Sequence, residues 1–198
     1  LYNSPDVSSG ALVWIVSTAT RLPVISLPVF LVLGISGAES AVSGILWGTL
    51  SLLLTTGLST AYLKYLRRNA RLGDPERLSQ GGALRPVRVV AVQYLLAWAL
   101  LTLLGVPFGL GSLVLVYAAL VILLAIVVPE EEISLHTAAV CGAAIALTYA
   151  FGPLGLLAAL LLPPAWWAKI ATGRHTPQEL TAGALAGTLA GLVIFLLT

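Results

Sequence analysis

"GSLVLVYAALVILLAIVVPEEEISLHTAAVCGAAIALTYAF", residues 111 to 151, holds two continuously apolar runs separated by Pro129 and three consecutive glutamates. Each run approaches the ~20 residues that an α-helix needs to cross a bilayer. The strands of a membrane barrel would instead alternate apolar and polar residues over about ten positions. Two transmembrane helices, at about 110 to 128 and 134 to 151, are therefore expected here.

The same reading extends outward. Further spans are expected at about 43 to 66, 87 to 104, 154 to 169 and 179 to 197, with short connections carrying Gly, Pro or charge. The chain is 59% apolar and only 9% charged, far from the roughly 25% charge of a soluble domain. Its mean hydropathy is +1.00. Residues 1 to 10 form a polar lead-in, and 11 to 198 are expected to be one transmembrane domain. The first apolar segment, 11 to 35, contains Arg21, Pro23 and Pro28. Missing backbone donors and a cation in mid-segment favour a broken helix packed against protein. Arg21 either snorkels or reaches a polar cavity. The expected fold is all-α, a polytopic transmembrane helical bundle of six core helices plus this Pro-broken N-terminal segment.

Pro163 and Pro164 predict a kink in the short 154 to 169 segment. In the last span, "AGALAGTLAG" places Gly183, Gly187 and Gly191 on one helix face. Such a stripe lets a neighbouring backbone approach closely, either within the chain or in a partner membrane protein. The lone Cys141 excludes an intramolecular disulfide and thiolate metal clusters, and reads as a small core residue. A net charge of +2 gives no reason to expect nucleic acid.

If the first segment crosses, the loops at 67 to 86, 129 to 133 and 170 to 178 share one face. The opposite face has only short turns such as "GISGAES" and "GVPFG", whose sole charge is Glu39. The bias of Lys and Arg toward cytoplasmic loops makes the first face cytoplasmic, in what is expected to be a prokaryotic plasma membrane. An anion site would collect the same cations for its own reasons.

Three blocks on that face carry chemistry. In "AKIATGRHTPQEL", His175 is followed four residues later by Glu179, so on a starting helix the carboxylate returns to the histidine's face. It can then fix the imidazole tautomer and stabilise the imidazolium. A histidine there can equally be a cap or an interfacial group, and Glu179 a complement to the helix N-terminus. In "ISLHT", Ser134 and His136 open another helix, where free N–H groups favour a phosphate oxygen; Ser134 is equally an ordinary N-cap. These are the chain's only two histidines, and both stand at helix starts on one face. The third block, "RRNARLGDPERLSQGGALRPVR", supplies Arg67, Arg68 and Arg71, read as contacts to anionic headgroups. Arg77, Arg85 and Arg88 lie nearer the next helix, and Arg85 before Pro86 is the best placed phosphate clamp.

Together the three blocks resemble the phosphatidic acid phosphatase type 2 superfamily of membrane lipid phosphatases, whose pattern is K-x6-R-P, P-S-G-H and S-R-x5-H-x3-D. The resemblance spans roughly 64 to 190. The third block keeps the spacing from Lys169 through His175 to Glu179, with Ala168 in the place of Ser, Lys for Arg and Glu for Asp. Ile133-Ser134-Leu135-His136 keeps Ser and His. Arg85-Pro86 is retained, with Leu78 where the family has lysine.

The resemblance implies a metal-independent phosphatase needing no cofactor and acting on a lipid phosphate or polyprenyl diphosphate. His175 would take the phosphoryl group, Glu179 would orient it, and His136 would protonate the leaving alkoxide. Ser134, Lys169, Arg85 and Arg77 would hold phosphate oxygens. Glu130, Glu131 and Glu132 would repel a dianion unless turned to water or paired with arginine. The competing reading is a non-catalytic subunit or lipid-binding partner of a larger membrane complex, joined through the Gly183/Gly187/Gly191 face. A small transporter would carry more polar groups near the bilayer midplane.

Overall fold

The computed structural model describes residue 16 and residues 22–68, 84–127, 134–173 and 175–197. Among them the chain is helical throughout, with no strand, and five helices are long and apolar enough to cross a membrane. The protein is an integral membrane helical bundle. Its outer surface is paved with side chains that water would not tolerate, such as Leu103 (86% exposed) and Leu196 (81% exposed), as hydrocarbon requires. Expectations for Arg21, Arg71, Arg77 and the three glutamates fall outside the described residues.

The elements are α1 (Leu22–Gly37), α2 (Ala41–Leu52), α3 (Leu58–Arg68), α4 (Leu84–Leu103), α5 (Phe108–Val127), α6 (Leu135–Phe151), α7 (Leu162–Ala171) and α8 (Pro177–Leu197). A π turn, Leu53–Gly57, joins α2 to α3, and a 3-10 stretch, Gly152–Leu161, precedes α7. α1 runs through Pro28, so the interruption expected in the first apolar segment does not fall within the described part of this helix. α1 packs antiparallel on α2, with Gly34 against the carbonyl of Gly44 and Phe30 against Gly48.

α5 is the central helix: 61% of its membrane window is buried inside the protein, against 39% or less for every other span. Phe30 of α1 meets Tyr117 of α5 at a ring separation of 6.0 Å. The Tyr117 hydroxyl donates to the Ala139 carbonyl of α6 at 3.4 Å.

The π turn has a specific cost and a specific remedy. Widening the helix frees carbonyls that lipid cannot satisfy. Gln93, from α4, donates to the Leu54 and Thr55 carbonyls at 2.9 and 3.0 Å. The Ser59 hydroxyl reinforces the turn by donating to Thr55 O at 2.8 Å.

Two further features place the site. Gly152 has φ +64°, a conformation that glycine adopts without strain, and it ends α6 and reverses the chain. The 3-10 stretch then returns along α6, with Gly155 against the Leu147 and Thr148 backbone. At ~2.0 Å per 3-10 residue and ~1.5 Å per α-residue, the segment from 152 to 171 reaches about 35 Å. The short span expected at 154 to 169 thus gains its length from 3-10 geometry. Pro163 and Pro164, where a kink was expected, lie in the first turn of α7, just past the change from 3-10 to α geometry.

The second feature is the glycine stripe. Gly183 sits on the Ser134 carbonyl, Gly187 on the Ala138 carbonyl and Gly191 on the Ile145 side chain. The contacts advance together along both helices, so α6 and α8 run parallel and start at the same end. All three glycines are buried. The face expected to meet a partner protein thus lies against α6 within the chain, where bare backbone lets that helix approach.

Candidate active site

The parallel packing of α6 and α8 brings the two histidine-bearing helix starts together. A backbone bond ties them, the Ser134 N–H donating to the Glu179 carbonyl at 3.2 Å.

At the start of α8 the local sequence Thr176-Pro177-Gln178-Glu179 closes a capping box. The Glu179 N–H donates to Thr176 Oγ1 at 3.3 Å, and the Thr176 hydroxyl donates to Glu179 Oε1 at 3.0 Å. Pro177 occupies the first helical position, where its missing donor is harmless. The second carboxylate oxygen is left for His175, with Nδ1 to Oε2 at 2.6 Å. The His175 and Glu179 side chains are 7% and 19% exposed, so water competes little for this bond. With Nδ1–H donating to a carboxylate, the lone pair of the neutral ring is on Nε2. Glu179 is both cap component and orienter, two roles that had stood as alternatives. Thr176, which holds Glu179 from the other side, was missed by sequence reasoning, although the Thr-x-x-Glu spacing was there to find it.

The start of α6 is built differently. Ser134 occupies the N-cap position but makes no side-chain cap bond. It is 1% exposed, and its Oγ accepts from the Thr137 hydroxyl at 3.1 Å. His136 follows in the first turn. Its Nε2 is buried and lacks a hydrogen-bond partner among the described residues. Among the described residues, the charged and titratable groups close enough to act on this ring are Lys169 and His175. Lys169 stands in the last turn of α7, half-buried. His175, Glu179, His136, Lys169 and Ser134 thus gather where α6, α7 and α8 meet at one end of the bundle.

Arg85 lies in the first turn of α4, at the same end of the bundle, and its side chain is outside the described residues; Arg77 lies outside them entirely. Cys141 is a buried free thiol on α6, as expected of a core residue. Trp166, one turn before Lys169, also has a buried indole N–H without a partner among the described residues. No metal-binding group of His, Cys, Asp or Glu is found among the described residues.

Chemically, the cluster offers an imidazole oriented by a carboxylate, a second imidazole whose Nε2 has no partner among the described residues, and an ammonium beside that ring. The fold and this cluster define an all-helical integral membrane protein with a polar site at one end of its bundle. Comparison of the chain with protein families, curated proteins and solved structures found no match among any of them. The functional reading therefore stands on the residues themselves.

Proposed function

We propose that the protein is a metal-independent membrane phosphatase that cleaves a lipid phosphate or polyprenyl diphosphate through a phosphohistidine. The observation that carries this reading is the buried Nε2 of His136, without a partner among the described residues, beside Lys169 and the Glu179-oriented His175. A buried polar atom without a partner costs about 1–3 kcal/mol, and an oxygen of a bound phosphate would supply one here.

In this mechanism the Nε2 lone pair of His175 attacks phosphorus in line with the lipid oxygen. The P–O bond breaks as the P–N bond forms. The departing group, an alkoxide from a lipid phosphate or the remaining phosphate monoester from a diphosphate, takes the proton of His136, and the substrate's negative charge favours the protonated ring before transfer. Water then attacks the phosphohistidine, giving its proton to His136. The P–N bond breaks, inorganic phosphate leaves, and both imidazoles return to their starting states. Glu179 stabilises the imidazolium of His175, while Lys169, Ser134 and Arg85 compensate charge on the equatorial oxygens. The lipid tail lies among the apolar helices.

The site face is the cytoplasmic one in this proposal. Lys64, Arg68, Arg85, Arg88 and Lys169 all lie toward that end, and the connection at 38–40 contributes only Glu39 to the other, matching the bias of cytoplasmic loops. The test is phosphate release from phosphatidic acid, phosphatidylglycerol phosphate and a polyprenyl diphosphate with chelator present. Turnover of at least one, lost in His175→Ala, is expected. No turnover on any would leave the non-catalytic, lipid-binding subunit as the better reading.

A further inference from the structure

A second cationic feature lies on α3, away from the histidines. α3 packs against α4 and the π turn, whereas the histidine site is built by α6, α7 and α8. Ala61, Lys64, Tyr65 and Arg68 border an open recess of about 580 Å³. Their spacing of three, four and seven residues puts them on one helix face, and all four are exposed. Lys64 and Arg68, one turn apart, have no acidic partner among the described residues.

Below this recess the same face is apolar. Leu46, Leu50, Leu53 and Leu58 are 65%, 37%, 59% and 53% exposed. The five-residue step from Leu53 to Leu58 is the π turn, which adds one residue to the turn and so carries the leucine stripe into line with Ala61, Tyr65 and Arg68. From Leu53 to Lys64 the helix climbs about 16 Å, half the ~30 Å hydrocarbon thickness and so the depth of one leaflet. Cations and a tyrosine thus stand where headgroups lie, above one leaflet's length of leucine and across the small Ala61 side chain.

The geometry points to a binding site for an anionic phospholipid, with its phosphate between Lys64 and Arg68 and an acyl chain along the leucine stripe. The occupant is a lipid rather than a free anion because the two cations stand above the exposed leucines of the same helix, and their charge is complementary to a phosphodiester headgroup. The site is separate from the proposed phosphatase centre, so neither depends on the other.

The experiment is native mass spectrometry of the full chain titrated with phosphatidylglycerol or phosphatidylcholine. Phosphatidylglycerol should be retained preferentially, and K64Q/R68Q should weaken that retention about thirtyfold, while K64R/R68K keeps it within a few-fold. Inorganic phosphate at millimolar concentration should not displace the lipid. Should the glutamine pair not purify, salt reads the same property: retention of phosphatidylglycerol falls with ionic strength and that of phosphatidylcholine does not. Equal retention of both lipids, an unchanged affinity in K64Q/R68Q, insensitivity to salt, or displacement by free phosphate would each overturn the proposal.

Discussion

The helix starts of α6 and α8 carry the same residue type at the same end of the bundle, yet they are finished in opposite ways. At α8 the polar groups are mutually satisfied: Thr176 and Glu179 close the capping box, and Glu179 holds His175 Nδ1 at 2.6 Å. At α6 Ser134 forms no side-chain cap, and His136 keeps a buried Nε2 without a partner among the described residues. One start is preorganised and the other is incomplete. A purely structural histidine pair would not need that asymmetry, since two satisfied caps would stabilise the bundle more. In the proposed function an anion between the rings would account for it: the oriented ring would act on the ligand, and the ligand would give the other ring its partner.

Mutations can break this comparison in order of effect. His175→Ala removes the proposed nucleophile, and phosphate release from the preferred lipid should fall by roughly four to six orders of magnitude. His136→Ala removes the proposed proton donor and should cost about 10²–10⁴-fold, least for the substrate with the best leaving group. A leaving-group dependence centred on His175 instead would exchange the two roles. Gly187→Leu touches neither ring, but its side chain would meet the Ala138 carbonyl and part the helix starts. A displacement of ~1 Å is enough to lower turnover about 10²-fold, and thermal unfolding in detergent should show a loss of about 1–3 kcal/mol.

Smaller changes sharpen the contrast. Glu179→Gln keeps the helix contacts but loses the charge on the orienter, and kcat should drop about ten- to a hundredfold. Thr176→Val removes the cap and should cost about 1 kcal/mol of stability while reducing turnover less than Glu179→Gln. A Thr176→Val defect as deep as that of His175→Ala would mean that the α8 start matters as a scaffold alone.

The architecture was largely legible because the lengths of apolar runs are set by the thickness of hydrocarbon. Expected and observed spans differ by at most a few residues at each end, as at 110 to 128 against Phe108–Val127. What apolar runs conceal is helix type. A continuous apolar segment has no periodicity to distort, so neither the 3-10 stretch Gly152–Leu161 nor the π turn Leu53–Gly57 left a mark. Gln93, a lone amide in an apolar span, was the one visible sign that a backbone elsewhere needed donors.

At the site, the pairing of two histidines at helix starts and the spacing of His175 to Glu179 were readable. The means of their convergence was ambiguous: the stripe Gly183, Gly187 and Gly191 announced a close approach without naming the helix that makes it. That Ser134 would leave its cap unmade, and that His136 rather than His175 would lack a partner, depends on the register between α6 and α8. No local pattern encodes that register.

The central claim is that both imidazoles face one anion. Because the chain has only two histidines, nitrogen NMR of the histidine-labelled protein, titrated with orthovanadate as a mimic of the phosphoryl group in transfer, tests it directly. The account predicts that the ring signals of His136 and His175 shift together with a single dissociation constant, and that either histidine-to-alanine variant abolishes the response of the remaining ring. Signals that move independently, or a single responsive ring, would contradict it.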